Sequence, residues 1–320
     1  MRAAINTKYG PPEVVQLLEV EKPVPQENEV LIKVHATTVN RTDCGFRSAE
    51  NVITRLFSGL LRPKLHILGN EFAGVVEAVG PGVRLFTAGD KVFGYNDASF
   101  GAHAEYLTMA EAAASAPMPC NFTYEQAAPL CEGAHYALCA MRAAKLKSGQ
   151  NVLVYGATGA IGSAAVQLAK SLGATVTAVC STSNVALVQS LGADVVVDYT
   201  TQDFTKTDQL FDFAFDACGK SSFAACKSLL TKTGTYISTE LGHRGANIYL
   251  ALITPFLGGK KVLFPIPTIT KADVIFLKKQ AETGRFQPVF DRRYPLEKIV
   301  EAYQYVETGQ KVGNVVITLT

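Results

Sequence analysis

The sequence predicts an α/β protein in which a doubly wound parallel sheet is accompanied by a separate, strand-rich domain. Beyond Gly149 the chain alternates between apolar strands and amphipathic helices, as in residues 151–155 followed by 163–172. Repeated units of this kind form a parallel sheet with helices on both faces. Residues 1–110 instead contain short strands separated by Pro and Gly turns, and residues 29–35 alternate polar and apolar side chains.

The change from one pattern to the other predicts the domain boundaries. A capping sequence at residues 123–126, with Thr followed three positions later by Gln, indicates the start of a helix. Residues 260–267 form an apolar run with two prolines, which is typical of a strand at the edge of a sheet. We therefore expect one domain from residues 1–122 and 268–320, and a second from residues 123–267.

The composition is that of a globular protein. Hydrophobic residues make up 48% of the 320 positions and charged residues 18%, which excludes a disordered chain. The net charge of +2 gives no reason to expect a nucleic acid or a membrane as partner. Seven cysteines without a C-x-x-C pair indicate reduced thiols. No apolar run has the length of a signal peptide core or a membrane span, so we expect a cytoplasmic location.

The most informative segment is the glycine-rich turn at residues 156–162. It follows a buried-type strand and opens a helix, so glycines allow close approach of a pyrophosphate while the helix N-terminus supplies free N–H groups. The spacing is G-x-x-G-x-x-G, and the alternative interpretation is a tight strand–helix corner. The strand–helix units on both sides favour dinucleotide binding. The expected contacts are Gly156, Thr158, Gly159, Ala160, Ile161 and Gly162.

The loop after the next predicted strand bears on the choice between NAD and NADP. An NAD site usually has an acidic residue there, but residues 180–184 contain none. Ser181 and Thr182 offer hydroxyls to a 2′-phosphate, although the segment from Cys180 to Asp194 contains no Lys or Arg to neutralise it. The alternative is that these residues only form a turn. We expect NADP(H).

Four further residues directly follow strands of the predicted parallel sheet. In such sheets ligands bind at the carboxyl ends of the strands, so these residues are candidates for the walls of the cofactor groove. Each is equally compatible with the protein core. They are Tyr199, Cys218, Leu241 and Phe264.

Several short motifs, taken together in order and spacing, carry a family resemblance. They are Val-Asn-Arg-Thr-Asp at 39–43, Gly-Asn-Glu-Phe-Ala-Gly at 69–74, Ala-His-Ala-Glu-Tyr at 102–106, the glycine turn, and Gly-Asn-Val-Val-Ile at 313–317. Over nearly its whole length the chain resembles the medium-chain dehydrogenase/reductase superfamily, in its zinc-independent quinone oxidoreductase branch. The resemblance implies a GroES-like catalytic domain and a Rossmann domain that binds the cofactor. It also implies a homodimer, in which the 260–267 edge strand would pair with its copy.

The resemblance also shows where metal ligands are missing. Zinc alcohol dehydrogenases of this superfamily have His at the position of Asn70 and a metal-binding Cys at that of Asn40. Amides replace the imidazole and thiolate that zinc prefers, and residues 93–106, where a structural zinc lobe would fall, contain no Cys. His66, His103 and Cys44 lack ligand spacing. We therefore expect no metal.

Without a metal, the expected substrates are those that accept hydride readily. Quinones and α,β-unsaturated carbonyls qualify, because the developing negative charge is delocalised onto oxygen, and the enzyme needs mainly positioning and a hydrogen-bond donor. The resemblance implies that Asn40 orients cofactor or substrate, while an Asx turn is its alternative role. Tyr95 is either a donor to the substrate oxygen or an aromatic wall. The resemblance places Asn314 at the cofactor.

Residues 132–136, Glu-Gly-Ala-His-Tyr, depart from the Gly-Leu-Thr pattern of many quinone oxidoreductases. Glu132 and His135 are therefore either pocket residues particular to this chain or part of a helix surface. Two other functions remain open at this stage. One is a zinc-free, NADP-dependent alcohol dehydrogenase or aldehyde reductase, and the other is a non-catalytic relative that binds NADPH.

Overall fold

The computed structural model describes residues 1–50 and 52–319, and it divides the chain into two compact units. The first unit comprises Met1–Glu132, Ile269–Gly284 and Pro288–Thr320, and the second comprises Gly133–Thr268 and Arg285–Gln287. The sequence pattern places the change of domain at residue 123. In the structure the capped helix at that point, and the residues up to Glu132, pack with the first unit.

The strands and helices follow one another in three blocks along the chain. The first block contains β1 (Arg2–Ile5), β2 (Gln16–Glu19), β3 (Glu29–Val39), α1 (Arg41–Ser48), α2 (Val52–Ser58), β4 (Glu71–Val79), β5 (Lys91–Tyr95), β6 (Tyr106–Ala110), β7 (Ser115–Pro117) and α3 (Tyr124–Ala127). The second contains α4 (Glu132–Ala144), β8 (Asn151–Tyr155), α5 (Ala160–Ser171), β9 (Thr175–Cys180), α6 (Val185–Ser190), β10 (Val195–Asp198), β11 (Phe211–Asp216), α7 (Phe223–Cys226), β12 (Leu230–Ser238), α8 (Ala246–Ile253) and β13 (Lys261–Leu263). The third contains α9 (Lys271–Glu282), β14 (Phe290–Pro295), α10 (Ile299–Glu307) and β15 (Asn314–Thr318).

The first unit is built on a mainly antiparallel sheet. Its strand order is β14-β15-β3-β4-β5-β7, and β6 also pairs with β3. The long strand β3 is central, and its apolar side chains pack with those of β4, β15 and helix α10 in one hydrophobic core. The ends of β3, β4 and β5 carry Asn40, Asn70 and Tyr95 respectively. Because these strands pair antiparallel, the three residues lie close together, at the side of the sheet where β3 and β5 end and β4 begins.

The second unit is a six-stranded parallel sheet with the order β10-β9-β8-β11-β12-β13. The chain runs outward from β8 to β10 and then returns to the other side of β8 with β11, so the strand order reverses between β8 and β11. Ligands of doubly wound sheets bind at the carboxyl ends of strands at this reversal. The glycine turn follows β8 there, which confirms the predicted fold class. Strand β13 forms one edge of the sheet.

Candidate active site

The glycine turn after β8 has a distinct geometry at each of its three glycines. Gly156 has a left-handed φ of +79° and begins the turn. An added Cβ on Gly162 would lie 2.1 Å from the Gly156 carbonyl oxygen, so this position accepts only glycine. An added Cβ on Gly159 would have that same oxygen as its nearest neighbour among the described residues, 3.9 Å away. Gly156 and Gly162 thus serve the turn and its packing, while Gly159 leaves open space beside the backbone.

The turn leads directly into the first turn of α5. Ala160 and Ile161 are the first two residues of that helix, and Thr158 lies in the turn before it. The first N–H groups of a helix have no partner within the helix, and they lie at the positive end of its dipole. An open glycine beside these N–H groups fits the pyrophosphate of a dinucleotide.

A carboxylate that is distant in sequence lies beside the loop at residues 181–184. The Thr182 hydroxyl donates to Asp198 across 2.6 Å, and Asn184 donates to the Ser181 hydroxyl across 2.9 Å. Hydrogen bonds from Thr182 and Thr200 lower the pKa of Asp198, which is therefore ionised at neutral pH. The loop contains no acidic residue of its own, but its neighbour β10 supplies one. The ladder pairs Asp198 with Cys180, so the parallel register explains the contact.

The remaining strand-end residues occupy different environments. Cys218 packs against the glycine turn, because its sulfur lies 2.6 Å from the place that a Cβ on Gly156 would take. Tyr199 is exposed, and Leu241 is half-buried. Phe264 lines a cavity of about 230 Å³ at the carboxyl ends of β11, β12 and β13, together with Tyr136 and Cys139 from α4. Two of the four predicted groove residues thus lie at the glycine turn or at this cavity.

In the first unit, Asn40 combines two structural tasks. Its side-chain oxygen accepts from the backbone N–H of Asp43 at 3.0 Å, which caps α1, and the Asp43 carboxylate accepts from the Asn40 N–H in return. Its side-chain nitrogen donates to the Asn70 side-chain oxygen across 2.7 Å. The cap is a local role like the Asx turn expected as the alternative, but its bond comes from the third residue along the chain, Asp43, and not from the second. The bond to Asn70 links Asn40 to a second group of polar side chains.

That group is centred on the Asn70 amide, which is fully buried. Its nitrogen donates to the Tyr95 hydroxyl oxygen at 3.1 Å and to the Glu132 carboxylate at 3.3 Å. The other oxygen of Glu132 accepts from the Thr42 hydroxyl at 2.6 Å. The bond from Asn70 therefore holds the Tyr95 hydroxyl within this network. Glu132 is therefore part of a buried network and does not lie on a helix surface.

A second carboxylate, Glu71, lies immediately beside this network. One of its oxygens accepts from the Thr38 hydroxyl at 2.6 Å, and the other accepts from the backbone N–H groups of Cys131 and Glu132 at 3.3 and 2.8 Å. Burial, with a smaller contribution from the Glu132 charge, raises the pKa of Glu71 to about 8. Glu71 therefore holds a proton over much of the neutral range and ties the start of α4 to the end of β3.

His103 and Asp43 are buried close to these carboxylates but have structural partners. The His103 ring donates through Nε2 to the Thr38 carbonyl at 2.7 Å, and its Nδ1 faces the Tyr303 hydroxyl at 3.3 Å. Burial lowers the pKa of His103 to about 4, so the ring is neutral. Asp43 accepts from the Gly69 backbone N–H at 2.9 Å. The His103 bonds link β3 to α10, and the Asp43 bond links α1 to the residue before Asn70.

The side chains at the positions discussed above as candidate metal ligands do not suit a zinc ion. Asn40 and Asn70 direct their amides toward each other, both ring nitrogens of His103 have partners, and burial raises the pKa of Cys44 to about 12, which keeps its thiol protonated. Zinc requires thiolate, imidazole or carboxylate ligands in a tetrahedral set. Over residues 1–50 and 52–319, no group of three His, Cys, Asp or Glu side chains is arranged to hold a metal ion.

Asn314 and Lys311 lie at the start of the last strand of the first unit. The Asn314 side chain and backbone both donate to the Val289 carbonyl, at 3.0 and 2.8 Å, so its amide anchors β15 beside the residues that precede β14. Lys311 is half-buried and donates to the Gly313 carbonyl at 2.6 Å. Burial lowers the pKa of Lys311, while the negative charges of Asp291, Glu132 and Glu71 act in the opposite direction.

Comparison with known proteins identifies the family of both parts of the chain. Residues 26–120 match the alcohol dehydrogenase GroES-like domain, and residues 191–317 match the family described as zinc-binding dehydrogenase. The 2-methylene-furan-3-one reductase of Solanum lycopersicum is 32% identical, over 99% of this chain and 79% of its own length. The chloroplastic NADPH-dependent alkenal/one oxidoreductase of Arabidopsis thaliana is 30% identical, over 99% and 79%.

A solved structure agrees with these relatives. The quinone oxidoreductase from Coxiella burnetii superposes with a TM-score of 0.88 and 27% identity, covering 100% of this chain and 99% of its own. With its GroES-like and parallel-sheet units and these relatives over its full length, the chain belongs to the medium-chain dehydrogenase/reductase superfamily of oxidoreductases, in its quinone oxidoreductase-like branch.

Proposed function

We propose that the chain is a zinc-independent, NADPH-dependent reductase that transfers hydride to quinones or α,β-unsaturated carbonyl compounds. The observation that carries this proposal is the Asn40–Asn70 amide pair, which stands where zinc-dependent relatives have metal ligands and is bonded to Tyr95 and Glu132. Such a site can donate hydrogen bonds to a substrate oxygen, but it provides no Lewis acid. It suits acceptors whose own conjugation stabilises the charge that hydride transfer creates.

The second unit supports the cofactor part of the proposal. The open space at Gly159 and the first N–H groups of α5 would hold the pyrophosphate, and Cys218 and Phe264 would lie along the rest of the cofactor. NADPH, when bound, supplies the hydride. The Ser181 hydroxyl would donate to the 2′-phosphate, with Thr182 beside it; the Thr182 hydroxyl would have to turn away from Asp198 to donate as well. The preference for NADPH is also supported by the name of the Arabidopsis thaliana relative, an NADPH-dependent alkenal/one oxidoreductase.

Two residues of the first unit would act on the substrate. Tyr95, whose oxygen accepts from Asn70, would donate its hydroxyl hydrogen to the substrate oxygen as negative charge develops there. Asn40 uses its oxygen for the helix cap and one amide hydrogen for Asn70, so its other amide hydrogen would orient the cofactor or substrate. Asn314 would support this part of the site through β15.

A substrate screen with NADPH tests the proposal. We expect quinones and enones to be reduced with a kcat/KM at least about a hundredfold above that for saturated aldehydes, because only the former delocalise the incoming charge. The activity should survive treatment with a metal chelator. Reduction of simple aldehydes in preference to enones, or loss of activity on chelation that zinc restores, would reverse the assignment.

We also propose that the protein is a cytoplasmic homodimer. All seven cysteines are free thiols, as is usual in a reducing compartment. Strand β13 lies at the edge of the parallel sheet, where a second copy can extend the ladder through main-chain hydrogen bonds. Light scattering in solution should give about twice the 34.3 kDa of one chain, and a mass of one chain would refute the dimer.

A further inference from the structure

Asp216 ends strand β11 at the carboxyl edge of the parallel sheet, and its side chain binds the turn that follows it. One carboxylate oxygen accepts from the backbone N–H groups of Cys218 and Gly219 at 3.2 and 2.8 Å, and the other accepts from the Ser221 N–H at 3.0 Å. Gly219 has a left-handed φ of +69°, a conformation in which successive N–H groups can converge on one anion. Asp216 therefore sets the shape of residues 217–221, the β11 turn.

Asp216 also holds the end of the neighbouring strand β12. The Tyr236 and Ser238 hydroxyls donate to its side chain at 3.2 and 3.4 Å, and the Thr239 N–H donates to its backbone carbonyl at 3.1 Å. With the Cys218 thiol, six donors share the roughly four lone-pair sites of this buried carboxylate, so none remains for a ligand. Asp216 can thus affect a bound molecule only through the residues that it holds.

The β11 turn is fixed to the start of the glycine turn. The Ala217 N–H donates to the Tyr155 carbonyl at 3.0 Å, which continues the pairing of β11 with β8. The Cys218 sulfur lies 2.6 Å from the place that a Cβ on Gly156 would take. Since Asp216 binds the Cys218 N–H, it determines where this sulfur lies against the glycine turn.

On the other side of Asp216 is the cavity that contains Phe264. Ser238 and Thr239 line this cavity, and both donate to Asp216. Phe215, which precedes Asp216 in β11, lines it as well. Asp216 therefore lies between the glycine turn, proposed to hold the pyrophosphate, and the cavity, proposed to hold a further part of the cofactor.

We infer that Asp216 is a positioning residue for the cofactor, which aligns the glycine turn with the cavity and thereby sets the affinity for NADPH. The inference rests on the proposed function. A groove whose loops are already ordered loses no affinity to ordering them on binding. The loop at residues 181–184 follows β9, which lies on the opposite side of β8 from β11, so its affinity for the 2′-phosphate should not depend on Asp216.

Binding titrations with two ligands test the inference. Asp216→Asn keeps the shape of the side chain and one acceptor oxygen, but it places an NH2 group against the donors of the second oxygen. We expect its Kd for NADPH to rise about tenfold or more. Its Kd for adenosine 2′-phosphate, which lacks the pyrophosphate and the nicotinamide half, should stay within about twofold of wild type. A merely structural role would change both Kd values or neither.

A matched control lies on the same strand. Asp212 is near the opposite end of β11, where its carboxylate accepts from the Asn151 N–H at 3.0 Å and from the Thr231 hydroxyl at 3.4 Å. Ligands of a doubly wound sheet bind at the other end of the strands. Asp212→Asn should therefore lower the Tm but leave both Kd values unchanged.

Gly219→Ala moves the β11 turn while Asp216 stays intact. Its Cβ would lie 2.6 Å from the Glu240 Cβ, and its left-handed φ strains any residue other than glycine, so the Kd for NADPH should rise here too. If Asp216→Asn does not fold, this variant decides in its place. Wild-type affinity for NADPH in the folded variant, an equal loss for both ligands, or an equal loss in Asp212→Asn would overturn the inference alone. A wild type that does not bind NADPH would overturn the proposed function as well.

Discussion

The side-chain nitrogen of Asn40 donates to the side-chain oxygen of Asn70 across 2.7 Å, and both residues are buried. Asn40 follows β3 and Asn70 precedes β4, so the bond joins neighbouring strand ends in the sheet. Because the Asn70 amide also donates to Tyr95 and Glu132, the bond fixes which way that amide faces. The orientation of the proposed hydrogen-bond donor Tyr95 therefore depends on Asn40.

Two substitutions separate the capping role of Asn40 from its role at the site. Serine keeps a side-chain oxygen for the cap of α1 but loses the amide N–H groups, whereas alanine loses both. We expect Asn40→Ala to be less stable than Asn40→Ser by about 1 kcal/mol in denaturant unfolding. Both should reduce kcat/KM by about tenfold or more. Full activity in Asn40→Ser would show that Asn40 is a helix cap alone.

Removal of the Tyr95 hydroxyl should affect the chemical step. Tyr95→Phe keeps the ring in its buried place but removes the hydrogen donated to the substrate oxygen, so we expect kcat to fall about ten- to hundredfold. The Kd for NADPH should stay within about twofold of wild type, because the glycine turn lies in the other unit. Unchanged kcat with an enone acceptor would make Tyr95 a wall residue, as the alternative interpretation of the sequence has it.

Glu71 should make the protein less stable as the pH rises. Its pKa is raised to about 8 in the folded protein, compared with about 4.3 in an unfolded chain, so the folded state binds the proton more tightly. The stabilisation from this group is complete below about pH 4 and is lost as the pH rises toward 8. Glu71→Gln removes the titration and should flatten the pH dependence by about 2–4 kcal/mol between pH 5 and 8. If the free energy of unfolding depends on pH in the same way in wild type and Glu71→Gln, the raised pKa of Glu71 is contradicted.

The fold could be predicted from the sequence because its signals are local. The strand–helix alternation after Gly149 and the Thr123 capping box both appear in the structure, and the predicted strand at residues 151–155 coincides with β8. The domain boundary expected at residue 123 does not coincide with the boundary in the structure. A cap specifies where a helix begins and not which unit the helix packs against. Contacts made by tertiary packing place the helix and the residues up to Glu132 with the first unit.

The contacts within the site could not be predicted from the sequence, because they too depend on tertiary packing. Glu71 and Glu132 are 61 positions apart and meet only because α4 begins beside the start of β4. Asp198 reaches Thr182 through the parallel pairing of β9 with β10, which the order of neighbouring strands could have indicated.

Asp198 should weaken the preference for NADPH. Its charge lies next to Thr182, where the 2′-phosphate is proposed to bind, and no Lys or Arg of residues 180–194 offsets it. We expect Asp198→Asn to raise kcat/KM for NADPH about three- to tenfold with little effect on NADH, and Ser181→Asp to shift the preference toward NADH. Asp203→Asn is a matched control, because Asp203 bonds Thr205 in the way that Asp198 bonds Thr200. A wild type that prefers NADH, or equal effects at both aspartates, would contradict the NADPH site.

Alanine substitutions at two glycines of one turn should have opposite consequences. Gly162→Ala places a Cβ 2.1 Å from the Gly156 carbonyl oxygen, so α5 must shift, and we expect a loss of about 2 kcal/mol or more in unfolding free energy. Gly159→Ala meets no such contact and has a φ of −69° that alanine adopts readily, so its stability should change by less than about 0.5 kcal/mol.

The Cβ added by Gly159→Ala would nevertheless occupy the space proposed for the pyrophosphate. The affinity for NADPH should therefore fall about tenfold or more in a fluorescence titration. Because Gly159→Ala stays folded, a weaker affinity cannot be attributed to unfolding. If this variant binds NADPH like the wild type, the turn is only a tight strand–helix corner and the cofactor must bind elsewhere.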